Sequence, residues 1–376
     1  MRQGCWRVFS VAGLGLVLSG CADLAYYRQA AAGQWELLRA RRPVTEVLAD
    51  PATAPDLRRR LETARELRAF ASAELALPDN GSYRDYADLR RPHAVHNVFA
   101  APELSLEPRR WCYLAVGCLS YRGFFDAEAA RRLAERERAR NGEPGEELRA
   151  AGDDVYVADI PAYSTLGWFD DPLLNTFIGW PAARLAELMF HELAHQRLYL
   201  ADDTAFNEAF ATTVGRLGAE RWLAREGAAE QRAEYAFERR RREDFLRLTG
   251  TTRDRLAAVY GSARSDAEKR TEKGRILADM RDRYRALRRD WGGYAGYDRW
   301  FERDLNNAKL AGNSTYYRWV PAFLALYERE ERDFPRFYRA VELLGQLPPT
   351  ERAARLEALS PGSASVAAGW GGAKGE

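Results

Sequence analysis

Lysine, histidine and cysteine are scarce in this 376-residue chain, four of each, and methionine occurs three times. With 57 basic residues against 55 acidic ones the net charge is only +2. So even a balance excludes a nucleic-acid binder driven by electrostatics. Two CxxC pairs are missing, which argues against a cysteine zinc clamp. No internal repeat is present. The N-terminal apolar run, Val11 to Leu18, is too short to be a comfortable membrane span. What remains is a globular balance, 46% apolar and 30% charged, with aromatics at 12%. The length suits one large domain or two ordinary ones. Because His and Cys are so few, each position they occupy carries information.

Residues 1–20 read as an address. Arg2 and Arg7 form a basic region ahead of the apolar run, which ends in Leu18-Ser19-Gly20-Cys21. The segment resembles a bacterial lipobox, in which the chain is cut before the cysteine and the thiol is acylated. Acyl chains on Cys21 would hold the following domain at a membrane surface. Ala22, in place of Asp, resembles the enteric lipoproteins sorted to the outer membrane rather than the inner one. A periplasm-facing lipoprotein is therefore expected. In such an oxidising compartment Cys112 and Cys118, with five residues between them and Gly117 supplying the turn, are expected to form a disulfide.

Helical spacing is expected across 21–80, in AYYRQAAAGQWELLRA and in a helix begun near Asp56 behind Pro51 and Pro55. LPDNGS breaks it. Extended runs follow within 90–170: Ala94–Ala100, Trp111–Tyr121, Val155–Ile160 and Ser164–Phe169, with 126–140 helical. From 180 to 345 helices resume. Pro181 suits the first turn of a helix reaching about Leu200, and Thr204 a helix N-cap. Gly250 and GSARSD are expected to divide 215–290 into two or three long helices. The run Arg239–Arg242, flanked by Glu238, Glu243 and Asp244, reads as a solvated helix face. Strands precede residue 170 and helices follow it, giving an α+β, predominantly helical fold. The expected layout is a signal peptide at 1–20, one domain over 21–360, and a mobile tail at 361–376.

MFHELAHQ, residues 189–196, carries the chemistry. On a helix His191 and His195 lie one turn apart on one face and can grip one Zn²⁺. Glu192, offset by about 100° from His191, can reach a water as general base. Catalytic zinc needs a third protein ligand. Glu208, separated from His195 by twelve residues, fits a turn at Ala201–Thr204 and a returning helix. Asp202 and Asp203 are the rivals, placed in the turn itself and better suited to capping. Asn207 is expected to brace a ligand or cap the helix. Arg197 departs from the apolar residue that zincins prefer and is expected to face solvent. His93 and His96, three apart in an extended stretch, should point to opposite faces and bind no metal.

FHELAHQRLYLADDTAFNEAFATTVGRLG resembles the signature of the bacterial putative aminopeptidase family, zinc-dependent lipoproteins. YYRQAAAGQWELL, WCYLAVGCLSYRGFF, AYSTLGWFDDP and LNNAKLAGNSTYY are similar to it too, so the resemblance covers most of 21–345. NEAFA also resembles the NEGFA of larger gluzincin aminopeptidases, in which the glutamate is the third zinc ligand; here that residue is Glu208. Their Gly-x-Met-Glu-Asn segment, which reads a free amine, has no counterpart. The resemblance implies a zincin-like peptidase with one Zn²⁺, acting on peptides in the periplasm and removing N-terminal residues. An endopeptidase of envelope proteins and a non-enzymatic scaffold with structural zinc are the alternatives. Tyr316 or Tyr317 is the expected donor to the oxyanion, with a packed aromatic as its rival reading. The stretch Tyr163–Phe169 is the expected substrate-pairing edge, with Gly167 allowing close approach.

Overall fold

A computed structural model describes residues 24–113, 117–139, 152–165, 169–314 and 318–360. The chain opens with helix α1 (24–40), strand β1 (Arg41–Pro43) and helices α2 (Val44–Ala49) and α3 (Pro55–Leu75). Pro55 sits in the first turn of α3, where its missing N–H costs nothing. Ala76 ends the helix in the left-handed region. Strands β2 (Asp85–Ala87) and β3 (Val95–Ala101) follow, then a hairpin of β4 (Trp111–Tyr113) and β5 (Gly117–Leu119), and β6 (Arg122–Phe124). Helix α4 (Ala127–Arg138) is capped by Asp126, whose carboxylate accepts from the Glu128 and Ala129 amides. Strands β7 (Asp154–Ile160) and β8 (Leu173–Leu174) complete this half.

The second half is helical: α5 (Ala182–Arg197), α6 (Thr204–Glu226), α7 (Ala229–Tyr260), α8 (Asp266–Asp290), α9 (Asp298–Glu302), α10 (Asn307–Ser314), α11 (Val320–Arg329), α12 (Phe334–Gly345) and α13 (Pro349–Leu359). The fold is thus α+β and mostly helical, as the order of patterns predicts. No helix among the described residues is long and apolar enough to cross a membrane.

The central sheet runs β6-β3-β7, antiparallel throughout. Alternation of side chains gives each face its own cover. Val98, Ala100, Val155 and Val157 pack on Ala130, Leu133 and Ala134 of α4. Phe99, Ala101 and Ala158 pack on Ala308 of α10. A second small sheet, β1-β2-β8, borders the main core, which α3, α5, α6, α11 and α12 build from residues such as Leu67, Phe190, Phe210 and Phe337. The hairpin of α7 and α8 has a core of its own, with Phe245, Leu256, Met280 and Phe301.

Several local expectations differ from the structure. Gly250 does not interrupt α7; the breaks fall at Gly227 and at 261–265, where Ser265 and Glu268 cap α8 reciprocally. Asp203, not Thr204, is the N-cap of α6: its carboxylate accepts from the Phe206 amide and Arg352 holds its other oxygen. None of the described residues of Ser164–Phe169 is in a strand, because Asp171 collects the Thr165 amide and the Ser164 and Thr165 hydroxyls. The arginine run is not a solvated face. Arg239 binds Glu220, Arg242 binds Glu187, and Arg241 is buried between the Phe237 and Tyr294 rings. Nor does Arg197 simply face solvent: it pairs with Glu342 of α12 at 2.8 Å and lies over the Tyr338 ring.

α5 and α6 form the most extensive helix pair. At Gly215 a Cβ would stand 2.5 Å from the Glu187 carbonyl oxygen and 3.2 Å from the His191 Cβ. At Gly218 it would meet Phe190 and Leu75 at 2.6 and 2.7 Å. Only glycine lets the two axes come this close. Gly215→Ala should therefore destabilise by about 1–3 kcal/mol and also weaken metal uptake, since the strain falls on the turn bearing His191. Denaturant midpoints and metal content would check it; unchanged values for both would refute the close-packing account.

Candidate metal centre

His191 and His195 lie on consecutive turns of α5, with their Nε2 atoms 3.1 Å apart and their rings edge to face. The connector of residues 198–203 turns the chain back, and Glu208, in the second turn of α6, places Oε2 3.3 Å from His191 Nε2 and 3.7 Å from His195 Nε2. Among the described residues these three are the group able to hold a metal ion. Asp202 and Asp203 are not part of it. The Asp202 side chain instead approaches Gly117, its Oδ1 2.9 Å from where a Cβ would be.

The donor set fits a divalent ion. Two nitrogens and an oxygen each about 2 Å from one centre, on the corners of a tetrahedron, lie roughly 3.3 Å apart, as these atoms do. Without an ion the arrangement is costly. His195 is 4% exposed and its Nδ1 has no partner, while its Nε2 faces another imidazole nitrogen. Charge partly compensates. Burial alone would raise the Glu208 carboxyl, but His191 and His195 outweigh it and hold the group down at about 2. Burial would lower His191, but Glu208 and Glu192 raise it above its ordinary value.

The surrounding elements fix these residues. Asn207, 1% exposed, donates to the Leu200 carbonyl at 2.7 Å and accepts from the Leu200 amide at 2.8 Å, fastening the connector to α6. Gln196, next to His195, accepts from Asn80 at 2.7 Å and donates to the Ser82 hydroxyl at 3.1 Å. That loop is held in turn by Arg68 of α3, which reaches the Pro78, Asn80 and Ser82 carbonyls. Tyr83 completes the loop at φ 65° while 4% exposed, a left-handed conformation that side chains rarely adopt.

Glu192, half-buried, faces a set of groups that the sequence reading did not single out. Its charge, with that of Glu208, acts on the Tyr121 hydroxyl, which burial pushes well up. It also acts on Tyr83, raised by burial, and on Asp171, which burial lifts to about 6. Tyr199 sets its ring against His195, centroids 6.2 Å apart. Tyr121 belongs to the WCYLAVGCLSYRGFF segment, whose cysteines are joined, Cys112 facing Cys118 across the β4–β5 hairpin.

Cys21, Gly167, Tyr316 and Tyr317 lie outside the described residues. His93 and His96 do not point apart. His93 precedes β3, and both rings turn to Asp159, His96 Nδ1 at 2.9 Å and His93 Nε2 at 3.9 Å, with Arg299 also on that carboxylate.

A protein-family model described as "Putative aminopeptidase" matches residues 25–356. No curated protein and no solved structure matches the chain.

The coupled charges define a pH window for the metal-free protein. Glu208 is depressed from 4.5, so its stabilisation is present above that value and lost as pH falls through about 2. His191 is raised from 6.5, so its stabilisation is present below that value and lost as pH climbs past the raised one. Urea denaturation in chelator should show the largest gap between wild type and Glu208→Gln between those two ordinary values, 4.5 and 6.5, narrowing on both sides. A gap constant from about pH 2 to 9 would contradict the ion pair.

Proposed function

Because the chain belongs to the Putative aminopeptidase family, we propose that it is a zinc-dependent peptidase that removes N-terminal residues from peptides. The convergence of His191, His195 and Glu208 on one point, with Glu192 beside them, carries this reading. Zinc is favoured by the donor set, two imidazoles and a carboxylate with room for a further ligand. A zinc ion bound there would supply Lewis acidity, polarising a carbonyl and acidifying water.

The chain's own residues account for the rest. Glu192 takes the proton of the attacking water and returns it to the leaving amine. Its place on the face next to His191 keeps the carboxylate near the three donors without joining them. Tyr121 keeps its proton, since burial and two carboxylates raise its hydroxyl, and so can donate to the oxygen on which charge develops. The role expected of Tyr316 or Tyr317 has this better-supported candidate. Asn207 and Gln196 hold the connector and the end of α5, so that the donors keep their spacing.

We further propose that the protein is an acylated lipoprotein, anchored through Cys21 and facing the periplasm at the outer membrane. The lipobox-like LSGC and the cysteine pair suited to an oxidising compartment support this.

Glu192→Gln should retain one metal ion per chain and hydrolyse nothing measurable, whereas Glu208→Ala should lose the metal. Tyr121→Phe should keep its metal and lower kcat by about 10²–10³. Metal analysis beside assays with fluorogenic amino-acid amides and internally quenched peptides would test all three. Cleavage of the quenched peptides but not the amides would replace the exopeptidase with an endopeptidase. Full hydrolytic activity in Glu192→Gln would end the general-base role of Glu192, and cleavage of neither substrate by the wild type would end the hydrolase reading.

A further inference from the structure

A cavity of about 680 Å³ opens along β7, between that strand, α8 and the segment joining α9 to α10. In the sheet order β6-β3-β7 this is the edge opposite β6, the strand that Tyr121 leads into from the metal side. The cavity shares no lining residue with the metal centre, although Tyr156 on its wall stacks on Phe99, which packs on Tyr121. Four cations line it: Lys309, Arg281, Arg303 and Arg138.

Lys309 is 1% exposed. Its ammonium donates to the Trp300 carbonyl and stands 5.2 Å above the Tyr156 ring and 4.9 Å from the Trp300 ring. No carboxylate lies within ion-pair distance of Lys309, Arg281 or Arg303 among the described residues, although four line the same space. Two of the four are already engaged: Asp153 by Arg109 at 2.7 Å and Asp154 by Lys273 at 2.6 Å, both bases outside the cavity lining. Glu302 and Asp304, the other two, are exposed. Cations thus outnumber the uncommitted acids. Burial, with Arg303 and Arg281 adding to it and Asp304 partly opposing it, brings the Lys309 ammonium down to about 8.

Arg303 is exposed and Arg281 half-buried, so water screens them, but the buried Lys309 ammonium, with donors to spare, is a cost unless something anionic enters. Neutral ligands would leave the repulsion standing, and a singly charged carboxylate would offset only part of it. Guanidinium forks match tetrahedral oxyanions well. We infer that this cavity binds a multiply charged oxyanion of the phosphate class, with Lys309 on its wall and Arg281 and Arg303 at its mouth. The anion is a free phosphate or the phosphomonoester headgroup of phosphatidic acid, which share the doubly ionisable phosphate that the cations would recognise. The site is independent of the hydrolytic reading and does not involve its residues.

Titration calorimetry of the full-length protein with inorganic phosphate, with acetate as competitor, tests the free form. Co-sedimentation with phosphatidic acid vesicles against phosphatidylglycerol and phosphatidylcholine vesicles tests the headgroup. Arg281→Ala/Arg303→Ala changes side chains outside the cores and should fold normally; Lys309→Met probes the buried group. We expect each variant to weaken phosphate binding at least about tenfold, or to abolish a preference for phosphatidic acid, and the arm that responds names the source. Absence of both kinds of binding, binding unaltered in both variants, or acetate competing as well as phosphate itself would overturn the inference.

Discussion

The closeness of α5 to α6 is the constraint on which the metal centre rests. At Gly215 the second helix presents bare backbone to the Glu187 carbonyl and to the stem of His191. A larger residue would separate the helices, and Glu208, one and a half to two turns before Gly215 on α6, would recede from both imidazoles. Gly218 repeats the contact one turn on, against Phe190 and Leu75, and ties the pair to α3. Two small residues thus turn a sequence motif on one helix into three converging donors.

The motif itself was legible because a helix repeats every 3.6 residues: given His191 and His195, their common face follows. Glu208 was legible as well, since the spacing leaves room for one turn and little else. The general order of strands and helices could be read from the change of hydrophobic period, including the start of α3 at Pro55 and the strand Asp154–Ile160. What could not be read depends on contacts between distant segments. Tyr121 stands near Glu208 only because the hairpin and β6 bring it there. The pairing of Gln196 with Asn80 and Ser82 joins residues more than a hundred positions apart. His93 and His96 share Asp159 because one of them precedes the strand, a boundary of a single residue or two that a pattern does not resolve.

Arginine misled the sequence reading for a physical reason. Its charge suggests solvent, but its planar head binds carbonyls and rings as readily as water, and its long stem packs. Here Arg68 secures the loop over α5, Arg197 joins α5 to α12, Arg242 meets Glu187 one turn before His191, and Arg352 holds the cap of α6. Much of what surrounds the centre is therefore fastened by guanidinium rather than by additional apolar bulk. Lysine, so rare in the chain, is buried at Lys273 and Lys309, one with an aspartate partner and one without.

The bond pair between Asn207 and Leu200 has a consequence for the energetics of metal capture. Both main-chain groups of Leu200 are satisfied by one amide side chain, so hydrogen bonds within the protein hold the connector closed. Ordering a six-residue loop costs roughly 1–2 kcal/mol per residue, and that entropy is spent during folding rather than at the moment of binding. An ion taken up by these donors would meet a preorganised claw, and its intrinsic affinity would not be diluted by having to build one.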